Sequence, residues 1–150
     1  MKNSLKIFLI NLKRDKERKK FCINQFKKFD VKYDIFDAYD GSTLSRDNFN
    51  KYSSKLTFKT EKRDLAYDEI GCSLSHLKIY EKIVRERISE SLILEDDIII
   101  HKQLFNIIKK IPKNVEFINF KSDAKQKKIR LLDTNFYLTK FEQIPNRTCA

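Results

Sequence analysis

Two compact apolar runs, Ile7-Phe8-Leu9-Ile10 and Leu92-Ile93-Leu94, each end in polar residues and are separated by segments of helical period. Runs this short suit buried strands rather than helices. After the first run, Cys22, Phe26 and Phe29 recur at i, i+4 and i+7, the stripe of an amphipathic helix that Asp30 closes. Tyr33 to Ala38 reads as a second strand, and Asp40-Gly41-Ser42 as a turn. Residues 43–68 are polar and aromatic without a clear period, which predicts an excursion with short helical pieces. Beyond Gly71, the residues Leu74, Leu77, Tyr80, Val84 and Ile88 mark one face of another helix. Ser91 to Leu94 is a short strand, with Ile98 to Ile100 continuing it or starting the next turn. Leu104, Ile107, Ile108 and Ile111 outline a helix stopped by Pro112, followed by a strand over Val115 to Phe120. Ile129 to Leu132 and Phe136 to Phe141 read as a hairpin around Asp133-Thr134-Asn135. Strands alternating with helices predict an α/β fold with a largely parallel sheet, and 150 residues suit a single domain.

In such a sheet, ligands bind outside the carboxyl ends of the strands. Two polar segments fall at ends of that kind. Glu95-Asp96-Asp97 follows the later run, and alternation sends Glu95 and Asp97 to one side and Asp96 to the other. Two carboxylates on one side can hold Mg²⁺ or Mn²⁺, which prefer oxygen ligands, and such an ion can neutralise a departing diphosphate. The plainer alternative is an acidic loop or a helix cap. After the first run, Arg14 and Arg18 stand four residues apart on one helix face, where two guanidiniums could grip phosphate oxygens. That basic first turn opposes the helix dipole, which an anion docking there would explain. Alternatively, Asp15 and Glu17 neutralise the pair on a solvated helix. Glu69 to His76 joins a loop to a helix through Gly71, one of only two glycines, and small residues there let a ligand approach the backbone. His76 has an ordinary reading too, as a hydrogen-bonded, half-buried residue near Tyr80. Ser75 and His76 lack a visible acid partner for a hydrolase triad, and His101 carries no assignment.

The formal net charge of +11 favours anionic partners, with a solvated lysine-rich surface as the plain alternative. Basic residues are dispersed and no nucleic-acid motif is present, so no nucleic-acid partner is expected. Cys22, Cys72 and Cys149 are widely spaced and odd in number, which predicts free thiols in a reducing compartment. No stretch approaches the ~20 apolar residues of a membrane span. The expected localisation is cytoplasmic, with peripheral contact on the anionic inner face of the membrane.

The order of these segments resembles glycosyltransferase family 25, the lipooligosaccharide and collagen galactosyltransferase-like group. Ile10-Asn11-Leu12-Lys13-Arg14-Asp15-Lys16-Glu17-Arg18 is similar to its INLxRxxxR opening, and Ala38-Tyr39-Asp40-Gly41 to its AxDG element. Glu69-Ile70-Gly71-Cys72-Ser73-Leu74-Ser75-His76 matches EIGCxLSH, and Leu92-Ile93-Leu94-Glu95-Asp96-Asp97 matches LxLEDD. The resemblance implies a GT-A-like, Rossmann-like nucleotide-sugar-binding domain, incomplete at its C-terminal side. It also implies a UDP-sugar donor, typically UDP-galactose, a divalent Mn²⁺ or Mg²⁺ ion, and inverting transfer of a hexose. The acceptor would be a lipooligosaccharide or another surface glycan, either glycolipid or oligosaccharide. By position, Asn11, Leu12, Arg14 and Arg18 would border the nucleotide, Asp40 the uridine, and Ser75 and His76 the donor pocket. Glu95 and Asp97 would fill the metal motif, with Asp97 the more direct ligand. No residue presents itself as the general base. The family usually extends well beyond 150 residues, so the runner-up expectation is an inactive remnant that at most binds the nucleotide-sugar.

Overall fold

In the computed structural model, the described residues are 5–53, 63, 65–118 and 120, with the backbone of 127–133 and 136–140. The chain divides into two compact units, one built on residues up to Ile99 and the other beginning at Ile100. The first unit contains strand β1 (Lys6–Asn11), helix α1 (Lys16–Phe29) and strand β2 (Asp34–Asp37). A 3₁₀ turn (Gly41–Thr43), helix α2 (Arg46–Tyr52), helix α3 (Tyr67–Arg85) and strand β3 (Ser91–Glu95) complete it.

The three strands form a parallel sheet in the order β2-β1-β3. Leu9 pairs with Ile35 on one edge of β1 and with Leu94 on the other. Alternation turns Phe8 and Ile10 to one face and Ile7 and Leu9 to the opposite face. All four are buried, so β1 is covered on both faces, as expected of an unbroken apolar run in a parallel sheet. Phe8 and Ile10 pack with Ile79 of α3, and Phe36, Ala38, Ile83, Ile88 and Ile93 complete that cluster. Fully burying an aromatic or aliphatic side chain contributes about 1.5–3 kcal/mol, so this cluster is the main anchor of α3 on the sheet.

Helix α1 ends as its sequence requires. Asp30 takes a left-handed conformation (φ 49°), one that Asp tolerates better than most residues. Helix α3 starts earlier than expected, at Tyr67, so that Gly71 lies inside it rather than before it. Its first turn is closed by Glu69, whose carboxylate accepts from the Ala66 backbone N–H at 2.7 Å. The buried face of α3 also differs from the expected one. Ile70, Gly71, Leu74, Ser75 and Ile79 are buried, whereas Leu77, Tyr80 and Val84 are exposed. Two apolar stripes share this helix, and the one carrying the small residues Gly71 and Ser75 allows the closer approach.

In the second unit, helix α4 (Leu104–Ile108) forms where expected, and strands β4 (Lys127–Asp133) and β5 (Phe136–Lys140) pair antiparallel as the expected hairpin. Its turn residues, Thr134 and Asn135, lie outside the described residues. The strand expected over Val115 to Phe120 does not form across the described residues 115–118. Phe117 is exposed, and among the described residues no ladder pairs positions 115–118.

Candidate functional site

All three strands of the first unit run the same way, so Asn11, Asp37 and Glu95 end at one edge of the sheet. The residues that follow each strand carry most of the expected site. The ladder continues past β2, where the Ala38 backbone N–H donates to Asn11 O at 2.9 Å. That bond sets Tyr39 and Asp40 directly beside the end of β1.

Asp96 is the organising group. It is 8% exposed, and its carboxylate accepts from Asn11 Nδ2 at 2.6 Å and from Arg18 at 3.4 Å. The Cys22 thiol donates to the Asp96 carbonyl at 3.3 Å, and Gln25 Nε2 donates to the Ile98 carbonyl at 2.9 Å. Helix α1 is therefore fastened to the turn after β3 by three side chains along its inner face, Arg18, Cys22 and Gln25, with Asn11 of β1 beside them. Asn11 also donates to the Asp15 carbonyl, tying the end of β1 to the residue that precedes α1. Burial, with the nearby charges of Asp96 and Asp97, pushes the Cys22 thiol above its ordinary range.

Arg14 forms an ion pair with Asp40 rather than with a helical neighbour. Asp40 also accepts from the Ser42 backbone N–H at 3.0 Å and the Ser42 hydroxyl at 2.6 Å, which caps the 3₁₀ turn. The two arginines are thus tied to the turns after β2 and β3. Each keeps more than half of its side chain in solvent, at 56% for Arg14 and 59% for Arg18. Leu12 is half-buried in the bend between β1 and α1, where its carbonyl accepts from the Asp15 N–H.

The EIGCxLSH segment lies on α3 and has two parts. Its small residues belong to the scaffold. A Cβ on Gly71 would stand 2.6 Å from both Gly41 N and Tyr39 O, and one on Gly41 would overlap the Tyr67 carbonyl. The only two glycines in the chain therefore face each other, and the backbone that approaches Gly71 is the 3₁₀ turn. Ser75 is fully buried; it donates to the Gly71 carbonyl at 2.8 Å and accepts from the Tyr39 N–H at 2.9 Å. Cys72 and His76 form the second part and turn toward β3. His76 Nε2 lies 3.2 Å from Glu95 Oε1, while its buried Nδ1 has no partner.

The three adjacent carboxylates consequently have three settings. Glu95 meets His76, Asp96 is enclosed by Asn11 and Arg18, and Asp97 is exposed. The expected divergence of Glu95 from Asp96 is present. Among the described residues, the metal-capable donors that gather within 4.8 Å of one another are those of Cys72, His76 and Glu95. The i, i+4 spacing of Cys72 and His76 was the available clue to this group. One expectation fails here: Cys22 is a free, buried thiol, but Cys72 is disulfide-bonded, with its partner outside the described residues. Spacing along the chain carries no information about which distant segment folds against a cysteine.

Comparison with known proteins identifies the family of the chain. Residues 4–150 match the family described as glycosyltransferase family 25 (LPS biosynthesis protein). A glycosyltransferase 25 family member of Aedes aegypti is 38% identical over 96 residues, covering 61% of this chain and 16% of that protein. The corresponding protein of Drosophila melanogaster is 37% identical over 97 residues, covering 62% of this chain and 16% of its own length. Human procollagen galactosyltransferase 2 is 26% identical over 114 residues, or 73% of this chain and 18% of that protein. The chain therefore spans only a small part of the curated relatives it matches.

Proposed function

The chain belongs to glycosyltransferase family 25, and on that premise we propose that it forms the donor-binding part of a hexosyltransferase. The observation that carries this reading is the convergence of Arg14, Arg18, Asp40 and Glu95 to Asp97 at one edge of a parallel sheet. That edge offers cationic donors and carboxylates side by side, which is what a nucleoside diphosphate bound with a divalent ion requires.

In this reading the domain is of the GT-A type and the donor is a UDP-sugar. Galactose is the best-supported sugar, because the human relative is named a galactosyltransferase. The exposed faces of the Arg14 and Arg18 guanidiniums bind the diphosphate, and their ion pairs with Asp40 and Asp96 hold them in place beforehand. Asp40, paired with Arg14, would border the uridine end of the donor. Leu12 and Asn11 shape the floor beneath. His76 orients Glu95, and buried Ser75 supports the pocket wall from behind.

Glu95 and Asp97 suit Mn²⁺ or Mg²⁺ in donor chemistry, since such ions use one or two carboxylates and leave other positions to phosphate and water. Bound there, the ion would neutralise the diphosphate as the sugar leaves with inversion. The acceptor in this reading is a lipooligosaccharide or another surface glycan, in line with the family description. A charge of +11 would draw the protein to the anionic cytoplasmic face of a membrane. No helix among the described residues is long and apolar enough to cross it.

Calorimetric titration of UDP with and without Mn²⁺ tests the proposal. Binding that strengthens with Mn²⁺ and loses that dependence in Asp97→Asn is expected. Absent or metal-indifferent binding would refute it.

A further inference from the structure

Three side chains of different chemistry meet between the second turn of α3 and the end of β3. Cys72 and His76 are four residues apart on one face of the helix, and Glu95 supplies the third corner from the strand. Their donor atoms lie within 4.8 Å of one another, and all three residues are half-buried. His76 and Glu95 already approach to 3.2 Å, close to the spacing of two ligands on one small ion. The unpartnered, buried Nδ1 leaves the imidazole without a competing acceptor.

We propose that the reduced chain binds Zn²⁺ through Cys72 Sγ, an imidazole nitrogen of His76 and a carboxylate oxygen of Glu95. A thiolate, an imidazole and a carboxylate form a borderline-soft set that selects zinc over the hard ions Mg²⁺ and Mn²⁺. Three protein ligands leave a fourth tetrahedral position open to water or a substrate atom.

The site is gated by oxidation state. With Cys72 in a disulfide, its sulfur cannot ligate the ion. A dithiol reductant transfers two electrons and two protons to that bond, closes into its own disulfide, and leaves two thiols on the protein. The Cys72 thiol then gives up its proton to solvent as the ion binds. Glu95 is shared with the Glu95–Asp97 pair proposed above, so zinc occupancy withdraws one carboxylate from the hard-ion position. The inference needs only the three side chains and does not rest on donor binding.

Cobalt is the probe, because Co²⁺ occupies zinc sites and reports its ligands by absorption. The full chain is reduced with a phosphine, which takes its oxygen from water and supplies no thiol, and is then titrated anaerobically with Co²⁺. We expect one equivalent bound, a near-ultraviolet thiolate-to-cobalt band, and loss of that band on adding Zn²⁺. The unreduced chain should lack the band. Cys72→Ser should abolish it, with the remaining thiols of Cys22 and Cys149 serving as internal controls. His76→Gln, checked for folding by circular dichroism, should weaken cobalt binding at least about tenfold, the loss seen even for groups that only support a metal ligand. Asp97→Asn should leave the band intact while removing Mn²⁺-dependent UDP binding, which separates this site from the donor reading. A band that persists in Cys72→Ser, or that is unaffected in His76→Gln, overturns the proposal. So does a band in the unreduced chain.

Discussion

The turn after β2 and the turn after β3 are both clasped to a helix by residues far apart in the chain, but by opposite physics. At the first, Gly41 and Gly71 bring the 3₁₀ turn against α3 because neither carries a side chain, and Ser75 holds the Tyr39 backbone. At the second, Asn11, Arg18 and Cys22 gather around Asp96. A contact made by missing atoms tolerates no addition. A contact made by several hydrogen bonds to one residue can be weakened in steps.

The sharpest way to break this contrast is to add one methyl group. Gly71→Ala places a Cβ 2.6 Å from backbone atoms that cannot move aside, and Gly41→Ala does the same against Tyr67. Each should destabilise the chain by about 3 kcal/mol or more, measured by urea denaturation. A loss under about 1 kcal/mol would mean that the turn and α3 are not in contact. Next comes Asp96→Ala, which strips the acceptor from buried Asn11 and should cost about 2 kcal/mol, with Asp96→Asn recovering part of it. Ser75→Ala returns to the first clasp and leaves the Tyr39 N–H without its acceptor, for about 1–2 kcal/mol. If it costs more than Asp96→Ala, the ranking of the two clasps is reversed.

A pH titration separates the clasps further. The folded state raises the Cys22 pKa, so the stability it contributes is fully present below the unfolded thiol value of about 8.5. That contribution is lost as pH rises through the folded value. The melting temperature should therefore fall on the alkaline side, and Cys22→Ala should flatten that part of the curve. An unchanged slope would mean that Cys22 lies outside the second clasp. The smallest effect belongs to Arg14 and Asp40. Arg14 is more than half exposed, so a double-mutant cycle should return no more than about 0.5 kcal/mol of coupling. UDP affinity should drop more clearly in Arg14→Ala than stability does.

Much of this molecule could be read along the chain. The apolar run Ile7 to Ile10 behaves as a strand buried on both faces because four consecutive apolar residues leave no polar face to expose. Asp30 ends α1 where the stripe of Cys22, Phe26 and Phe29 ends. The parallel sheet follows from helices set between strands, since each return crossing needs that length. The buried face of α3 was less legible. Leu77, Tyr80 and Val84 have the right spacing, but Gly71 and Ser75 allow a closer approach that hydropathy does not register. Val115 to Phe120 has strand-like composition and remains unpaired over its described residues, because a strand needs a neighbour as well as apolar residues.

The same division holds at the candidate site. Local sequence placed Glu95-Asp96-Asp97 and the Arg14/Arg18 pair at strand ends, because the strands that precede them are marked by their own apolar runs. It could not distribute the three carboxylates. Backbone alternation separated Glu95 from Asp96, but only the packing of α1 and α3 made Asp96 the buried anchor and brought Glu95 to His76. Likewise, the arginines had acidic neighbours within reach, yet they pair with Asp40 and Asp96 across gaps of 26 and 78 residues. Period and composition act over a few residues and so determine the elements and their order. Which side chains meet at the sheet edge depends on how those elements pack, and that was decided by the tertiary structure alone.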